Sequence, residues 1–352
     1  MYLSTPPCCV FAGGLYVLGH VKVGHAETEY NDPCIQEYPQ WLNLVDMLKI
    51  KAFVELTLAP TVREGMNHLI RLSGLGGMKP NTVCMGFYDT KSPEDTFQKR
   101  QDKIKAKKKW KFYGTTSEDS DSAHVGEFPS LREDDKDRFF SPEDYFLMLC
   151  DTLKLRKNIC LLRHFHTLDK DALFSSNVKM YIDVWPVNFF RPDTSNLFDN
   201  TCLFLLQLAC ILHMVPGWKK HTMLRIFMCV EEQNEQVAAK HKKLAQLLRQ
   251  LRILGQIKVI QWHESLAKLN GDEASSHRYF APFPLPAGYL QAVNEMVRQQ
   301  CENTAVTFLY LPRVRDDEAY KENYLSHLET LTDNLPPTVL VHGIHPVTST
   351  TL

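Results

Sequence analysis

The sequence predicts an α/β protein built from two tandem three-layer units with mainly parallel sheets. Short apolar runs that suit buried strands alternate with longer segments in which apolar residues recur at helical spacing. This alternation occurs in both halves of the 352 residues, and it implies crossover connections between parallel strands. We therefore predict a first unit at residues 1–190 and a second at 191–352. The content of 44% hydrophobic and 23% charged residues is that of a soluble globular protein.

The first elements follow from their apolar spacing. Phe11 to Val23 is apolar enough for a strand, interrupted at Gly13-Gly14. Tyr38 to Leu48 has one apolar face and predicts a short helix. Lys51 to Leu58 predicts the next strand.

A helix, a glycine turn and a strand come next. Thr61 to Leu75 has helical apolar spacing, and Thr82 to Tyr88 is a short apolar run that suits burial on both faces. Pro80 prevents the helix from resuming. Glycine adopts the left-handed conformation without steric cost, so three glycines are expected to end the helix. These glycines are Gly74, Gly76 and Gly77.

The same glycines could suggest a loop that binds the phosphates of a dinucleotide. Such a loop needs the order strand, glycines, helix, so that the phosphate meets a helix N-terminus. Here the order is helix, glycines, strand, which favours a structural turn over a phosphate site.

Residues 90–140 differ in composition from the rest of the chain. Eight basic residues lie between Lys99 and Lys111, and an acidic stretch follows from Ser117 to Asp121. So little apolar surface predicts a disordered insertion. The basic run could be a solvated linker, a contact for anionic lipid, or a nuclear-targeting or RNA-binding segment. Candidate phosphorylation sites beside it are Thr115, Ser117, Ser120 and Ser122.

Order is predicted to return at Ser141, a helix N-cap followed by Pro142 and two acids, in a helix that continues to about Leu155. Residues 264–286, rich in Gly, Ser and Pro, predict a loop. The remaining predicted strands are Lys157–Arg163, Lys179–Trp185, Leu224–Val230, Ile257–Trp262, Ala305–Leu311 and Thr338–His342; the helices are Leu203–Met214, Glu232–Leu254, Pro286–Asn303 and Asp316–Asn334.

The apolar segment from Cys202 to Val215 has about 14 residues, whereas a membrane-spanning helix needs about 20. A buried core helix is therefore expected. Several of the ten cysteines lie inside apolar runs, as in proteins of the reducing cytosol.

Motifs for catalysis are not found in the sequence: there is no Gly-x-Ser-x-Gly elbow, Walker loop or His-Glu-x-x-His. We expect no enzyme activity and assign no cofactor. His164 and His166 could begin a metal site or be ordinary satisfied or exposed histidines. Asp183 could face a ligand at the carboxyl end of a strand, or it could cap a loop or pair with Arg191. A net charge of -1 argues against nucleic acid as a partner.

Several motifs in register carry a family resemblance. Gly74 to Thr82, followed by an apolar strand, resembles the signature in the cytosolic C-terminal domain of the cation–chloride cotransporters, solute carrier family 12. Asp183-Val184-Trp185-Pro186 and Leu340-Val341-His342-Gly343 agree with this resemblance, which covers most of the chain. The signature residues are Gly74, Gly76, Gly77, Met78, Lys79, Pro80 and Asn81.

The resemblance implies a regulatory and dimerisation domain on the cytosolic face of a chloride-coupled cation symporter. The ion pathway would lie in a transmembrane domain that this chain does not contain, so none of its residues should be a transport site. Expected partners are a second copy, related cotransporters, the protein's own transmembrane domain and anionic lipid. The implied fold is similar to that of universal stress proteins. The alternative is a free-standing nucleotide-binding protein that resembles those proteins and uses the carboxyl edge of its sheet.

Overall fold

The structure of the chain, a computed structural model, describes residues 16–25, 31–47, 50–74, 76, 79–89, 140–192, 199–231, 235–270, 283–315 and 317–345. Strands are β1 Val17–Val23, β2 Phe53–Ala59, β3 Thr82–Gly86, β4 Asn158–Arg163, β5 Met180–Trp185, β6 Thr222–Val230, β7 Gly255–Gln261, β8 Thr304–Tyr310 and β9 Thr338–His342. Helices are α1 Pro33–Met47, α2 Val62–Leu72, α3 Pro142–Lys154, α4 Lys170–Ser175, α5 Asn200–Met214, α6 Pro216–His221, α7 Glu235–Gln250, α8 His263–Asn270, α9 Ala287–Gln299 and α10 Glu318–Leu331.

Seven strands form one central sheet in the order β3-β4-β9-β8-β5-β6-β7. All neighbouring pairs are parallel except β4 and β9, which are antiparallel. Strands β1 and β2 form a separate parallel pair. The predicted α/β class with mainly parallel sheets is therefore confirmed.

The predicted boundary at residues 190 and 191 does not separate two sheets. Strands β3, β4 and β5 precede it and β6 to β9 follow it, yet all seven belong to one hydrogen-bonded sheet. The one central sheet therefore contains strands from both halves of the chain. The division of the chain into two units, 1–190 and 191–352, stays a prediction.

Helices cover both faces of the central sheet and make three layers. On one face, α2, α3, α8, α9 and α10 pack against side chains such as Leu161, Phe227 and Leu340. On the other face, α4, α5, α6 and α7 pack against side chains such as Ile182 and Phe308. Because both faces are covered, inner strands such as β8 and β9 are mostly apolar and buried along their whole length.

The apolar helix α5 lies within the second of these cores. Asp199 caps its N-terminus, with an Oδ1 that accepts from the Cys202 backbone N–H at 2.6 Å. Side chains including Phe204, Leu205 and Ala209 are fully buried on the sheet. Within the described residues, no helix combines the length and the apolar character that a membrane span requires.

Four local differences separate the structure from the prediction. The predicted loop at 264–286 begins with a helix, α8, whose Leu266 and Leu269 are buried. The helix expected over Tyr38–Leu48 starts earlier, at Pro33, with Pro39 inside it. The helix expected over Glu232–Leu254 is described from Glu235 and ends earlier, at Gln250. The small helices α4 and α6, of six residues each, are too short to produce a periodic signal.

Candidate functional site

In the part of the turn that the structure describes, the signature residues contact other parts of the fold and hold the turn in place. Gly74 has a φ of 100° and Gly76 a φ of 54°, values that glycine adopts readily. Lys79 Nζ donates to the Arg71 carbonyl at 2.8 Å and so satisfies a carbonyl at the end of α2. The Asn158 backbone N–H donates to the Asn81 carbonyl at 2.9 Å, which ties the turn to β4. Gly77 and Met78 lie outside the described residues.

Replacing Gly76 with alanine should lower the free energy of unfolding by about 1–2 kcal/mol, because the left-handed conformation strains a side chain. No described atom lies within 4 Å of the added Cβ, so strain rather than a clash is the cause. Gly288→Ala is the matched control, since its Cβ also meets open space and its φ is not positive. That change lies in the first turn of α9 and should not destabilise the chain, since alanine loses less conformational freedom on folding than glycine. Thermal melts that do not separate the two variants would contradict this account of the turn.

Asp183 is fully buried in the middle of β5 and pairs with Arg225 of β6. Arg225 Nε donates to its Oδ1 at 2.7 Å, and the Thr304 hydroxyl donates to its Oδ2 at 2.6 Å. Burial raises the pKa of Asp183, while Arg225 and Thr304 oppose that rise. The predicted pairing with Arg191 is wrong, and the Asp183 carboxylate is occupied by protein groups rather than turned towards a ligand. Arg225 also donates to the Gln300 carbonyl at 2.8 Å, so this cluster joins α9 to the sheet.

His164 and His166 lie together after β4, with ring centroids 6.2 Å apart. His164 has a φ of 61°, and burial lowers its pKa. His166 is exposed. In the part of the chain that the structure describes, no group of three or more His, Cys, Asp or Glu is placed to hold a metal ion.

The two ends of the segment 90–139 are fixed beside each other. The Tyr88 hydroxyl donates to the Phe140 carbonyl at 3.0 Å, and the Tyr145 hydroxyl donates to the Gly86 carbonyl at 2.7 Å. Arg163, 3% exposed, donates through Nη2 to Asp89 Oδ1 at 2.8 Å. Its Nη1 donates to the Glu329 carbonyl of α10 at 2.8 Å. The basic run and the candidate phosphorylation sites lie between these anchored ends, outside the described residues.

A basic cleft opens at the carboxyl ends of β5 and β8. It encloses about 540 Å³ and lies between the C-terminal turns of α3, the loops after β5 and β8, and the first turn of α10. Four of its lining residues are cationic, whereas none of the described lining residues is acidic. The cations, which define what we call the basic cleft, are Lys154, Arg191, Arg313 and Arg315.

The loops of the basic cleft are held by the core beneath them. The Tyr324 hydroxyl donates to the Pro312 carbonyl at 2.6 Å, which fixes the loop after β8. After β5, the Arg191 backbone N–H donates to the Asn188 carbonyl at 3.1 Å and closes a turn. The Arg315 guanidinium lies 5.6 Å from the centroid of the Tyr320 ring. The cations are therefore carried on fixed backbone.

The basic cleft is not among the sites predicted from the sequence. Its signal was the pair Arg313 and Arg315, two residues apart directly after the predicted strand Ala305–Leu311. Arg191 and Lys154 carry no such signal, because only the fold brings them beside that pair.

Comparisons with known proteins find the same family that the signature residues resemble. The family described as solute carrier family 12 matches residues 11–101. The chain is 42% identical to solute carrier family 12 member 9 of Xenopus laevis, over 97% of this chain and 38% of that protein. The chain belongs to solute carrier family 12. The human member 9 is 40% identical over 97% of the chain and 39% of that protein.

Two more distant likenesses are to proteins described as cation-chloride cotransporters. The vacuolar cation-chloride cotransporter 1 of Saccharomyces cerevisiae is 28% identical over 67% of this chain and 22% of that protein. A crystal structure of the cytoplasmic domain of a prokaryotic cation chloride cotransporter aligns with 96% of this chain and 88% of that one, with 12% identity and a TM-score of 0.47.

This member of family 12 spans less than two fifths of the length of its member 9 relatives. Its similarity to them nevertheless covers nearly the whole chain, from the β1–β2 pair to the last strands. The resemblance stated from the signature motifs is thereby confirmed at the level of the family.

Proposed function

We propose that this chain is a cytosolic regulatory and assembly domain of a chloride-coupled cation symporter-like protein. The observation that supports this most is identity of 42% along 97% of the chain to a family 12 protein of which it covers 38%. A non-catalytic role fits the Asp183 carboxylate, which hydrogen-bonds to protein groups and is no candidate for acid–base chemistry. Transport itself would belong to the remaining length of such a protein.

Assembly requires a surface, and α1 offers one. Its inner face buries Trp41, Leu44 and Val45 against the β1–β2 pair. On its outer face, Ile35 is 72% exposed, while Tyr38 and Leu42 are each 41% exposed. Three apolar residues at positions i, i+3 and i+7 form one stripe along a helix.

We propose that this outer stripe of α1, formed by Ile35, Tyr38 and Leu42, packs against the same stripe of a second copy. A contact about a two-fold axis places a surface against itself, so it favours a patch without charge. The stripe meets that condition, because all three of its side chains are uncharged. The proposed occupant is a second copy of this chain, in keeping with the assembly role proposed above.

Replacing Leu42 with glutamate should weaken self-association about 10- to 100-fold, since the contact loses one buried apolar side chain and gains a charge. Sedimentation velocity of the full chain over a range of concentrations measures the change. Leu254→Glu is the matched control, because Leu254 is 88% exposed and lies far along the chain, just before β7. A wild-type chain that stays monomeric at every concentration would contradict the assembly role. If Leu42→Glu and Leu254→Glu weaken dimerisation equally, the contact between the copies does not lie at the stripe of α1.

A further inference from the structure

Strands β5 and β8 mark the point where the order of the central sheet reverses. From β5 the chain builds outward through β6 and β7, and it then returns to add β8 on the other side of β5. The two strands are parallel hydrogen-bonded neighbours. After β5 the chain leads into α5, on one face of the sheet; after β8 it leads into α10, on the opposite face. Because the loops after β5 and β8 lead to opposite faces of the sheet, a crevice opens between them at the carboxyl ends of these strands. This is the position at which α/β proteins bind ligands.

The basic cleft occupies this crevice. Asn188 and Arg191 line it from the loop after β5, and Arg313 and Arg315 from the loop after β8. The two loops therefore contribute opposite walls of one site, at the place that the topology favours. Neither the charge nor the topology depends on the other, so the two observations are independent.

The charge of the cleft is one-sided. Lys154 at the end of α3 adds a fourth cation to Arg191, Arg313 and Arg315. Of the described acids nearby, Glu143 pairs with Lys321 at 2.6 Å, and Asp317 caps α10, where its Oδ1 accepts from the Tyr320 backbone N–H at 2.9 Å. Cations gathered at one concave site raise the local potential and attract anions.

The remaining lining supplies neutral groups that can donate hydrogen bonds. The Asn188 side-chain oxygen accepts from the Phe190 backbone N–H at 3.1 Å, which leaves its NH₂ group to donate. Burial raises the pKa of Tyr320, so its hydroxyl stays protonated at neutral pH. The volume of about 540 Å³ is within the range of small-molecule sites.

We propose that the basic cleft binds a small, multiply charged phosphate compound. Three guanidinium groups are suited to this ligand class, because their planar donors pair with phosphate oxygens two at a time. Four cations match a ligand that carries several negative charges. The compound is either a soluble polyphosphate or the headgroup of a phosphorylated lipid, and the same residues hold the phosphates in both cases.

Calorimetric titration of the full chain tests the proposal, with pyrophosphate, adenosine triphosphate and inositol hexakisphosphate as soluble probes. Flotation with vesicles that contain a phosphoinositide, against vesicles of phosphatidylcholine alone, tests the lipid source. We expect at least one soluble or vesicle probe to bind. The double variant Arg313→Glu with Arg315→Glu should weaken that binding at least ~10-fold, since each lost contact joins two charged groups.

A matched control reverses two charges elsewhere. Lys242→Glu with Lys243→Glu changes two exposed lysines of α7, which packs on the other face of the sheet. This control should bind as the wild type does. Lys154→Gln is a second test variant, because Lys154 is exposed and its replacement removes one charge of the cleft without reversing it. Melting temperatures of all variants show whether they fold.

The outcomes separate clearly. Binding that is lost in the cleft variants and kept in the control supports the site, and the probe that binds identifies a soluble or a lipid source. No binding of any probe overturns the proposal, and so does equal weakening in the α7 control. Self-association of the chain is measured without these probes, so the result leaves the proposed assembly role untouched.

Discussion

Replacing Arg225 with leucine should lower the free energy of unfolding by about 3–5 kcal/mol, because it leaves the Asp183 carboxylate buried without its partner. Asp183 is 0% exposed, and the Arg225 side chain is only 10% exposed. Thr304 alone would then donate to the carboxylate. Chemical denaturation of the full chain, monitored by circular dichroism, measures the loss.

Two controls give this prediction its meaning. The double variant Asp183→Leu with Arg225→Leu should be closer to the wild type than the single variant, since it removes the unpaired charge. Acid should also partly rescue Arg225→Leu. Burial raises the pKa of Asp183 in the folded state, and loss of Arg225 removes one of the groups that oppose this rise. The penalty is then complete above the raised pKa and declines as the pH falls towards the unfolded value of about 4. A single variant as stable as the wild type would contradict the account of this ion pair.

Gly65→Val should destabilise the chain by about 1–3 kcal/mol, because it overpacks the contact between α2 and β1. A Cβ at Gly65 would lie 2.3 Å from Val21 Cγ1 and 2.8 Å from Val21 Cγ2. The branched side chain of Val21 has few rotamers with which to move away. The helix must therefore shift from the β1–β2 pair, and thermal melts should show a lower transition.

The matched control for this contact is Gly19→Ala. A Cβ there meets Leu69 Cδ1 at 3.0 Å, and this atom is the far end of a flexible side chain that can give way. We expect a smaller loss than for Gly65→Val. Val21→Ala added to Gly65→Val should recover part of the stability, since it removes the two methyl groups that clash. If this second change does not help, the clash with Val21 is not the cause.

Most strands could be predicted because burial on both faces leaves a continuous apolar run in the sequence. Leu224–Val230 and Ala305–Leu311, for example, lie within or overlap β6 and β8 to within a few residues. The start of α3 was also readable, since Ser141 accepts from the Asp144 backbone N–H at 3.0 Å as an N-cap should. Signals of this kind are local, so a single sequence carries them.

What could not be predicted depends on residues far apart in the chain. Asp183 and Arg225 are 42 positions apart, and only the pairing of β5 with β6 makes them neighbours. The basic cleft needs the order of β5 and β8 in the sheet, which periodicity does not contain. The early boundary of α1 escaped for a different reason: the apolar face that predicts the helix begins at Tyr38, whereas the helix begins at Pro33, in a first turn where proline is tolerated.

The position of β9 has a consequence for how the chain acquires its fold during synthesis. This strand joins β4 on one side to β8 on the other, and all five of its residues are buried. On a ribosome, β3 and β4 emerge long before residues 338–342, so their outer edge waits without a partner while the rest is made. Completion of the sheet is thus postponed until residues 338–342 have left the exit tunnel. A nonsense codon only a few residues before Thr338 would leave two unjoined groups of strands with open edges, which are prone to aggregate.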